Sequence, residues 1–237
     1  MMYGSIGTPF KKKIGGNMIG ISKIRGGYLY IRKNKETEDE VKKRISSRKG
    51  EIRFNPIEPV NLPNFVTPFL MLEYLEPMLL SPRGKAKFFV KFPVEIGVFI
   101  LERDSRANLD IFSLTDPKYT LYGDVETGRI CRYHQSKAYA KIPKADPLKE
   151  GVMEIRVKNA TNKWLEMKRG VFNAVNMKIY YSDEVVSMRA NIKLIDEDKA
   201  ENHFRSKGLK SGMEKSMEMY NPKRSLIQPT FKMESGI

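Results

Sequence analysis

Residues 152–158 read VMEIRVK, and apolar and charged side chains alternate from Met153 to Lys158. In an extended chain the apolar side chains fall on one face and the charged side chains fall on the other, because successive residues point to opposite sides. A helix would need a period near 3.6 residues instead. The stretch therefore predicts a half-buried β-strand.

The same alternation recurs in residues 85–92 and 187–195, and Ile96–Leu101 is apolar on both faces, which is typical of a central strand. Turn signals such as Gly26-Gly27 and Asp116-Pro117 separate these runs at short intervals. The 10–15-residue helical crossovers of a parallel sheet are missing. We therefore predict an all-β fold, a two-sheet antiparallel sandwich of jelly-roll-like type.

One or two short helices are expected within this fold, at residues 36–46 and 196–204. Each segment has apolar residues spaced i,i+4, and acidic residues open both segments. Residues 1–204 are predicted to form a single β-sandwich domain. Residues 205–237 are rich in Lys, Ser and Met, show no strand alternation, and are predicted to form a basic, partly flexible C-terminal tail.

The formal charge of +15 is concentrated at the ends of the chain. Residues 10–53 hold 14 Lys/Arg against 5 Asp/Glu, and residues 205–237 hold 7 against 3, whereas residues 54–204 hold 22 against 20. A basic protein is expected to meet nucleic acid, acidic lipid or an acidic protein. This count indicates that the ends, rather than the body, make that contact.

The compartment is predicted from a few negative signals. The longest charge-free stretch, residues 59–72, is too short for a transmembrane segment and is broken by three prolines. The N-terminus lacks the order of charges and apolar residues found in a signal peptide. The lone cysteine, Cys131, excludes an internal disulfide framework. We expect a cytoplasmic protein.

Catalytic and metal-binding patterns are absent from the sequence. Cys131 and His134 are three residues apart on a predicted strand, so they should point to opposite faces and not form a nucleophile–base pair. Two histidines without Cys-x-x-Cys or His-Glu-x-x-His spacing do not indicate a metal site. No glycine-rich phosphate loop precedes a helix. We predict no catalytic residue, no metal and no cofactor.

Two regions are candidate ligand surfaces. Residues 113–134 interleave tyrosines, hydroxyls and cations around a turn, a mixture that either stacks bases or sugars and clamps phosphates, or simply covers the edge of the sandwich. The basic N-terminal segment, residues 11–53, either binds nucleic acid, docks on an acidic surface, or is an ordinary solvated face. The candidate residues are Lys118, Tyr119, Tyr122, Arg129, Arg132 and His134 from the first region and Lys11, Lys12, Lys13, Lys42, Lys43 and Arg44 from the second.

Three functions fit these observations. The leading hypothesis is a non-enzymatic binding or protein-interaction module with an unknown protein partner or acidic surface. The alternative is an RNA- or nucleic-acid-binding protein that uses the basic N-terminal segment. The third, a carbohydrate-binding or carbohydrate-active protein, rests on fold analogy. The oligomeric state is open.

Several phrases of the sequence resemble a known family. They are PIEPVNLP at 56–63, FPVEIGVF at 92–99, the stretch 113–123, ICRY at 130–133 and VSMRA at 186–190. Together they resemble an archaeal family of unknown function, domain of unknown function number 432. The resemblance spans about residues 15–204, and the tail after Phe204 lies outside it. It implies an archaeal cytoplasmic protein and supplies no catalytic residues.

Overall fold

The computed structural model describes residues 3–47, 49–220 and 229–237. These residues form β-strands joined by turns and loops, with one turn of 3-10 helix at Ala174–Asn176, so the all-β prediction is confirmed. The strands are β1 (Gly4–Ile6), β2 (Phe10–Ile14), β3 (Asn17–Ile24), β4 (Gly27–Asn34), β5 (Glu40–Ile45), β6 (Glu51–Ile57), β7 (Phe69–Leu80), β8 (Lys85–Pro93), β9 (Glu95–Glu102), β10 (Ser105–Phe112), β11 (Tyr119–Tyr122), β12 (Arg129–Ser136), β13 (Glu150–Asn159), β14 (Leu165–Asn173), β15 (Tyr180–Tyr181), β16 (Val186–Leu194), β17 (Ala200–Arg205), β18 (Glu214–Lys215) and β19 (Phe231–Met233).

The chain divides into two compact units. Unit 1 comprises residues 1–55 and 96–114, and unit 2 comprises residues 56–95 and 115–237. Each unit is built from two sheets. The domain boundary expected at residue 204 stays a prediction, although β17 runs across that position.

Unit 1 pairs one sheet of order β1-β6-β9-β10 with an antiparallel sheet of order β2-β3-β4-β5, called here the β4 sheet. Buried side chains join the two sheets. The Tyr30 hydroxyl and the Arg32 Nε both donate to Asp110 Oδ2, at 2.7 and 2.6 Å. Strand β9 lies between two neighbours, and residues 96–100 of the predicted apolar run are buried on both faces.

Unit 2 pairs a sheet of order β11-β12-β7-β14 with a larger sheet, called here the β13 sheet, of order β18-β15-β16-β13-β8. Strand β17 pairs with β16 and β19 at one side of the larger sheet. Two pairs, β7–β12 and β13–β16, are parallel within an otherwise antiparallel arrangement. Aromatic contacts join the sheets, including Phe172 on Phe204 with ring centroids 5.6 Å apart.

Strand β13 contains the alternating stretch VMEIRVK. Met153, Ile155 and Val157 are buried, whereas Arg156 and Lys158 are exposed. Strands β8 and β16 contain the other two alternating runs, and their buried faces also follow the sequence pattern. Period-two alternation therefore predicted the inward face of all three strands correctly.

The two predicted helices are wrong, since residues 36–46 contain β5 and residues 196–204 contain most of β17. The physical reason is the same in both places. An i,i+4 spacing puts two side chains on one face of a helix, but an even spacing also puts them on one face of a strand. Ala200 and Phe204 are both buried on β17 in that way.

The described part of the predicted tail contributes to the β13 sheet. Strand β18 pairs with β15, and β19 pairs with β17. The Met233 side chain is fully buried. Residues 221–228, which belong to the same predicted tail, lie outside the described residues.

Candidate functional site

The outward face of the β13 sheet concentrates positive charge on four adjacent strands, β8, β13, β16 and β17. Residues paired across neighbouring strands lie on the same face of a sheet, so the strand register shows which residues share the outward face. Three rows cross the strands: the first holds Lys85, Lys158, Lys193 and Glu201; the second holds Lys87, Arg156, Asn191 and His203; the third holds Phe89, Glu154, Arg189 and Arg205. We call this surface the basic face.

The first two rows and Arg205 line a groove of about 850 Å³, together with Ala86, Val157, Ile192 and Thr230. The lysines of the groove are exposed. In the part of the chain that the structure describes, no carboxylate oxygen lies within 4.0 Å of the ammonium nitrogen of Lys85, Lys87, Lys158 or Lys193. Their charge is therefore available to a ligand.

The arginines of the basic face are organised by one carboxylate. Glu154 Oε1 lies 2.8 Å from Arg156 Nε and 3.8 Å from a terminal nitrogen of both Arg189 and Arg205. Glu154 itself is buried. Three cations around one anion leave an excess of positive charge, and Arg189 Nε and Arg205 Nη1 have no hydrogen-bond partner among the described residues. Both of these donor atoms are buried, and the arginines of this cluster that line the groove are Arg156 and Arg205.

The structure divides the predicted basic N-terminal segment between two faces of the β4 sheet in unit 1. Register places Lys11 opposite Gly20, Gly20 opposite Ile31, and Ile31 opposite Lys42, so these residues share the outer face. Lys13 and Arg44 share that face, whereas Lys12 and Lys43 pair with Ile19 and Tyr30 on the other. Four of the six predicted cations therefore meet on one surface.

Two of the six candidate residues at 113–134, Tyr122 and Arg132, are buried in unit 2. Tyr122 is 3 % exposed and its hydroxyl donates to the carbonyl of Gly236, at 2.9 Å. Arg132 is 2 % exposed, and its guanidinium lies over the Tyr119 ring at 5.8 Å from the centroid. Tyr122 and Arg132 therefore pack inside the protein rather than lie on an exposed stacking surface.

The remaining residues of that region are held by neighbours. The Arg129 guanidinium lies over the rings of Phe69 and Phe231, at 5.1 and 5.5 Å. His134 Nε2 lies 3.6 Å from Glu150, and burial lowers the pKa of His134 despite that carboxylate. The backbone carbonyl of Lys118 accepts a hydrogen bond from the amide of Tyr133 at 2.8 Å.

Arg132 belongs to a buried cluster of charged and polar groups that the sequence did not single out. The buried cluster comprises the buried residues Glu58, Glu95 and Arg132 and the half-buried residues Asn61 and Tyr119, all in unit 2. Glu95 accepts from the backbone amides of Asn61 and Leu62 at 3.0 and 3.3 Å. The Tyr119 hydroxyl donates to the carbonyl of Leu62 at 2.8 Å. The loop after β6 is thus held by side chains from two other strands, Glu95 of β9 and Tyr119 of β11.

Burial shifts the proton affinity of both carboxyls in this cluster. Desolvation raises the pKa of Glu58 to about 8 and that of Glu95 to about 7, against the opposing effect of backbone hydrogen bonds. Burial also lowers the pKa of Arg132, while the nearby Glu95 charge opposes that shift. Glu58 Oε2 and Arg132 Nε and Nη1 have no hydrogen-bond partner among the described residues. The cluster is therefore costly to keep charged.

The residues considered for catalysis are not assembled into a reactive group. Cys131 is fully buried, and desolvation raises the pKa of its thiol to about 12, so it is not a thiolate at neutral pH. Across residues 3–47, 49–220 and 229–237, no three His, Cys, Asp or Glu side chains gather closely enough to hold a metal ion. Within the same ranges, no helix has the length and apolar character to cross a bilayer.

Sequence reasoning found the cations of the basic face one strand at a time but not the face itself. Alternation already assigned Arg156 and Lys158, and likewise Lys85 and Lys87, to outward positions. The net charge of residues 54–204 concealed them, because the acidic residues of this region lie mostly elsewhere. The missing information was which strands are neighbours, and parallel pairing of β13 with β16 is a long-range feature.

The comparison with protein families covers almost the whole chain. The matching family model is described as a protein of unknown function (DUF432), and it aligns with residues 2–234. This match includes the tail after Phe204, which the resemblance at the sequence level left out. No curated protein and no solved structure matches the chain. Because the model spans nearly every residue, the chain belongs to the DUF432 family.

Proposed function

We propose that this protein is a non-enzymatic binding module whose basic face contacts the phosphate backbone of nucleic acid. The observation that carries the proposal is the groove lined by Lys85, Lys87, Lys158 and Lys193, whose ammonium groups have no described carboxylate partner. Unpaired lysines on a solvated surface attract counterions, and their release drives association with a polyanion.

The composition of the groove favours phosphate over the other ligands considered. The described residues that line it include no Phe, Tyr or Trp, the side chains on which sugars and bases stack. Arginine and lysine without aromatic rings contact phosphate oxygens and carry no direct sequence information. We therefore propose that the basic face binds duplex and single-stranded nucleic acid alike, without preference for particular bases.

The arginines around Glu154 support the same function. Arg156 and Arg205 line the groove beside its lysines, and a guanidinium fork matches the geometry of a phosphate. Glu154 holds the three arginines close together, which lowers the entropy lost when a ligand arrives.

The test is a fluorescence-anisotropy titration of the full chain with a labelled mixed-sequence RNA, as a single strand and as a duplex. The variant Lys87→Glu/Lys158→Glu reverses one cation in each of the first two rows. We expect its affinity for both probes to fall by about tenfold or more, because backbone contacts act uniformly across sequences.

A matched control is available in the same unit. Lys163 and Lys210 are exposed but already paired with Glu197 and Glu184, at 3.1 and 2.8 Å. The variant Lys163→Glu/Lys210→Glu makes the same change of net charge away from the groove, and its affinity should stay within about threefold of wild type. Equal losses in the two variants would show that net charge, and not the basic face, causes binding.

A further inference from the structure

The outer face of the β4 sheet in unit 1 differs from the basic face because its floor is apolar. Met18, Leu29 and Ile31 are half-buried there, and together with Lys11 and Lys33 they line a groove of about 480 Å³. Gly20 lies in the middle of this floor, where a methyl group would meet no described atom within 4 Å. We call this surface the N-terminal groove.

Cations form both rims of the N-terminal groove. Lys11 and Lys13 lie on the edge strand β2, and Lys42 and Arg44 lie on the opposite edge strand β5. These four side chains are exposed, and none lies within 4.0 Å of a carboxylate in the part of the chain that the structure describes. Glu40 shares the face of Lys42 and Arg44, and it is paired with Lys33 at 3.5 Å. The surface therefore combines an apolar strip with positive charge on both sides.

We propose that the N-terminal groove binds an amphipathic helix of a partner protein, with an apolar stripe flanked on both sides by Asp or Glu. Charge complementarity selects the acidic flanks. A second copy of this basic chain would bring like charges together at both rims. Phosphate backbone would gain nothing from Met18, Leu29 and Ile31, because an apolar floor offers it no donor.

The dimensions of the groove match a helix. The rims lie three strand spacings apart, about 14 Å, and a helix with its side chains is about 10–12 Å wide. Strands β3 and β4 have 8 residues each, which gives the floor a length of about 26 Å. About 17 helical residues cover that length, enough for four apolar anchors at i, i+3 or i+4 spacing.

The experiment selects helical peptides from a phage-displayed library on the full chain and measures the selected peptides by fluorescence anisotropy. We expect an apolar stripe with acidic residues on both sides. Gly20→Leu fills the floor, and because its Cβ enters open space at an ordinary backbone conformation, this variant should fold normally and bind at least tenfold more weakly.

A pair of charge variants keeps the test decisive if Gly20→Leu folds poorly. Lys42→Glu/Arg44→Glu reverses one rim and should weaken the selected peptides about tenfold. Lys12→Glu/Lys43→Glu changes cations on the same strands but on the other face, and should leave binding unchanged. Failure to enrich any peptide, or enrichment of peptides without acidic residues, would overturn the proposal.

Two further probes separate the other occupants. Vesicles containing phosphatidylserine and a mixed-sequence RNA duplex are titrated against wild type and Gly20→Leu. Loss of vesicle or RNA binding in Gly20→Leu, with no selected peptide affected, would assign the groove to a membrane or to nucleic acid and contradict the proposal. Because these variants lie outside the basic face, their outcome is independent of the nucleic-acid test above.

Discussion

Unit 2 holds charge in two contrasting ways. The basic face keeps its lysines in water, unpaired and available, whereas the buried cluster keeps Glu58, Glu95 and Arg132 almost wholly out of water. A solvated charge costs little to maintain and attracts a ligand of opposite sign. A buried charge costs several kcal/mol unless its neighbours compensate it. The exposed lysines are therefore suited to binding a ligand, whereas the buried cluster affects the stability of the folded protein.

The comparison predicts a separation of effects between the two regions. Substitutions on the basic face should change affinity with little change in stability. Substitutions in the buried cluster should change stability, and the dependence of stability on pH, with little change in affinity of the folded protein.

The largest effect is expected at Arg132, where a Met of similar volume removes the cation and keeps the packing. Arg132→Met leaves the Glu95 carboxylate without its nearby cation, and removal of one buried partner costs about 3–5 kcal/mol. Urea unfolding at pH 8 should show a loss of this size. At pH 5 the loss should be smaller, because Glu95, with a pKa of about 7, is then protonated. An equal loss at both pH values would mean that packing, not charge, is responsible.

The next effect concerns Glu58, whose pKa of about 8 in the folded protein exceeds the ordinary value of 4.5. A raised pKa means that folding favours the protonated carboxyl. Its stabilising contribution is complete below about pH 4.5 and is lost as the pH rises through 8. Glu58→Gln stays neutral, so its free energy of unfolding relative to wild type should rise over this range, by about 4 kcal/mol.

Chemical unfolding of wild type and Glu58→Gln at half-unit steps from pH 4.5 to pH 9 measures that difference. The control is Glu166→Gln, which changes an exposed carboxylate paired with Lys168. Glu154→Gln is not suitable as a control, because Glu154 contacts three arginines. A difference between Glu58→Gln and wild type that does not vary with pH would contradict the interpretation of the buried cluster.

The smallest effect is expected at Glu201, the carboxylate that faces Lys193 on the basic face. Glu201→Gln removes a negative charge from the groove, so affinity for RNA should increase about twofold at low salt. Glu197→Gln, which removes a carboxylate outside the groove, serves as the control in the same anisotropy titration. Weaker binding by Glu201→Gln would show that this carboxylate helps to position a ligand.

Much of the fold could be predicted from the sequence, because alternation is a local property. The inward faces of β8, β13 and β16 follow directly from the order of apolar and charged residues. The helices predicted at Val41/Ile45 and Ala200/Phe204 failed because an i,i+4 spacing is compatible with a strand as well. The division into two units has no local signature, since residues 96–114 join residues 1–55 across a long stretch of chain.

The candidate sites were harder to predict for a related reason. The sequence predicted which cations of each strand point outward. It did not predict the basic face, because that face depends on which four strands lie side by side. Arg132 and Tyr122 looked like surface residues because Arg and Tyr usually keep a polar end in water. Tyr122 is bonded to the carbonyl of Gly236, which is distant in sequence, and Arg132 packs under the ring of Tyr119 on the neighbouring strand.

The most direct test of the central claim is the salt dependence of RNA binding in wild type and in Lys87→Glu/Lys158→Glu. If both lysines contact phosphates, the slope of log affinity against log salt concentration should become shallower by about 2 in the variant. The slope of Lys163→Glu/Lys210→Glu should equal that of wild type. Equal slopes in all three proteins would contradict a nucleic-acid site on the basic face.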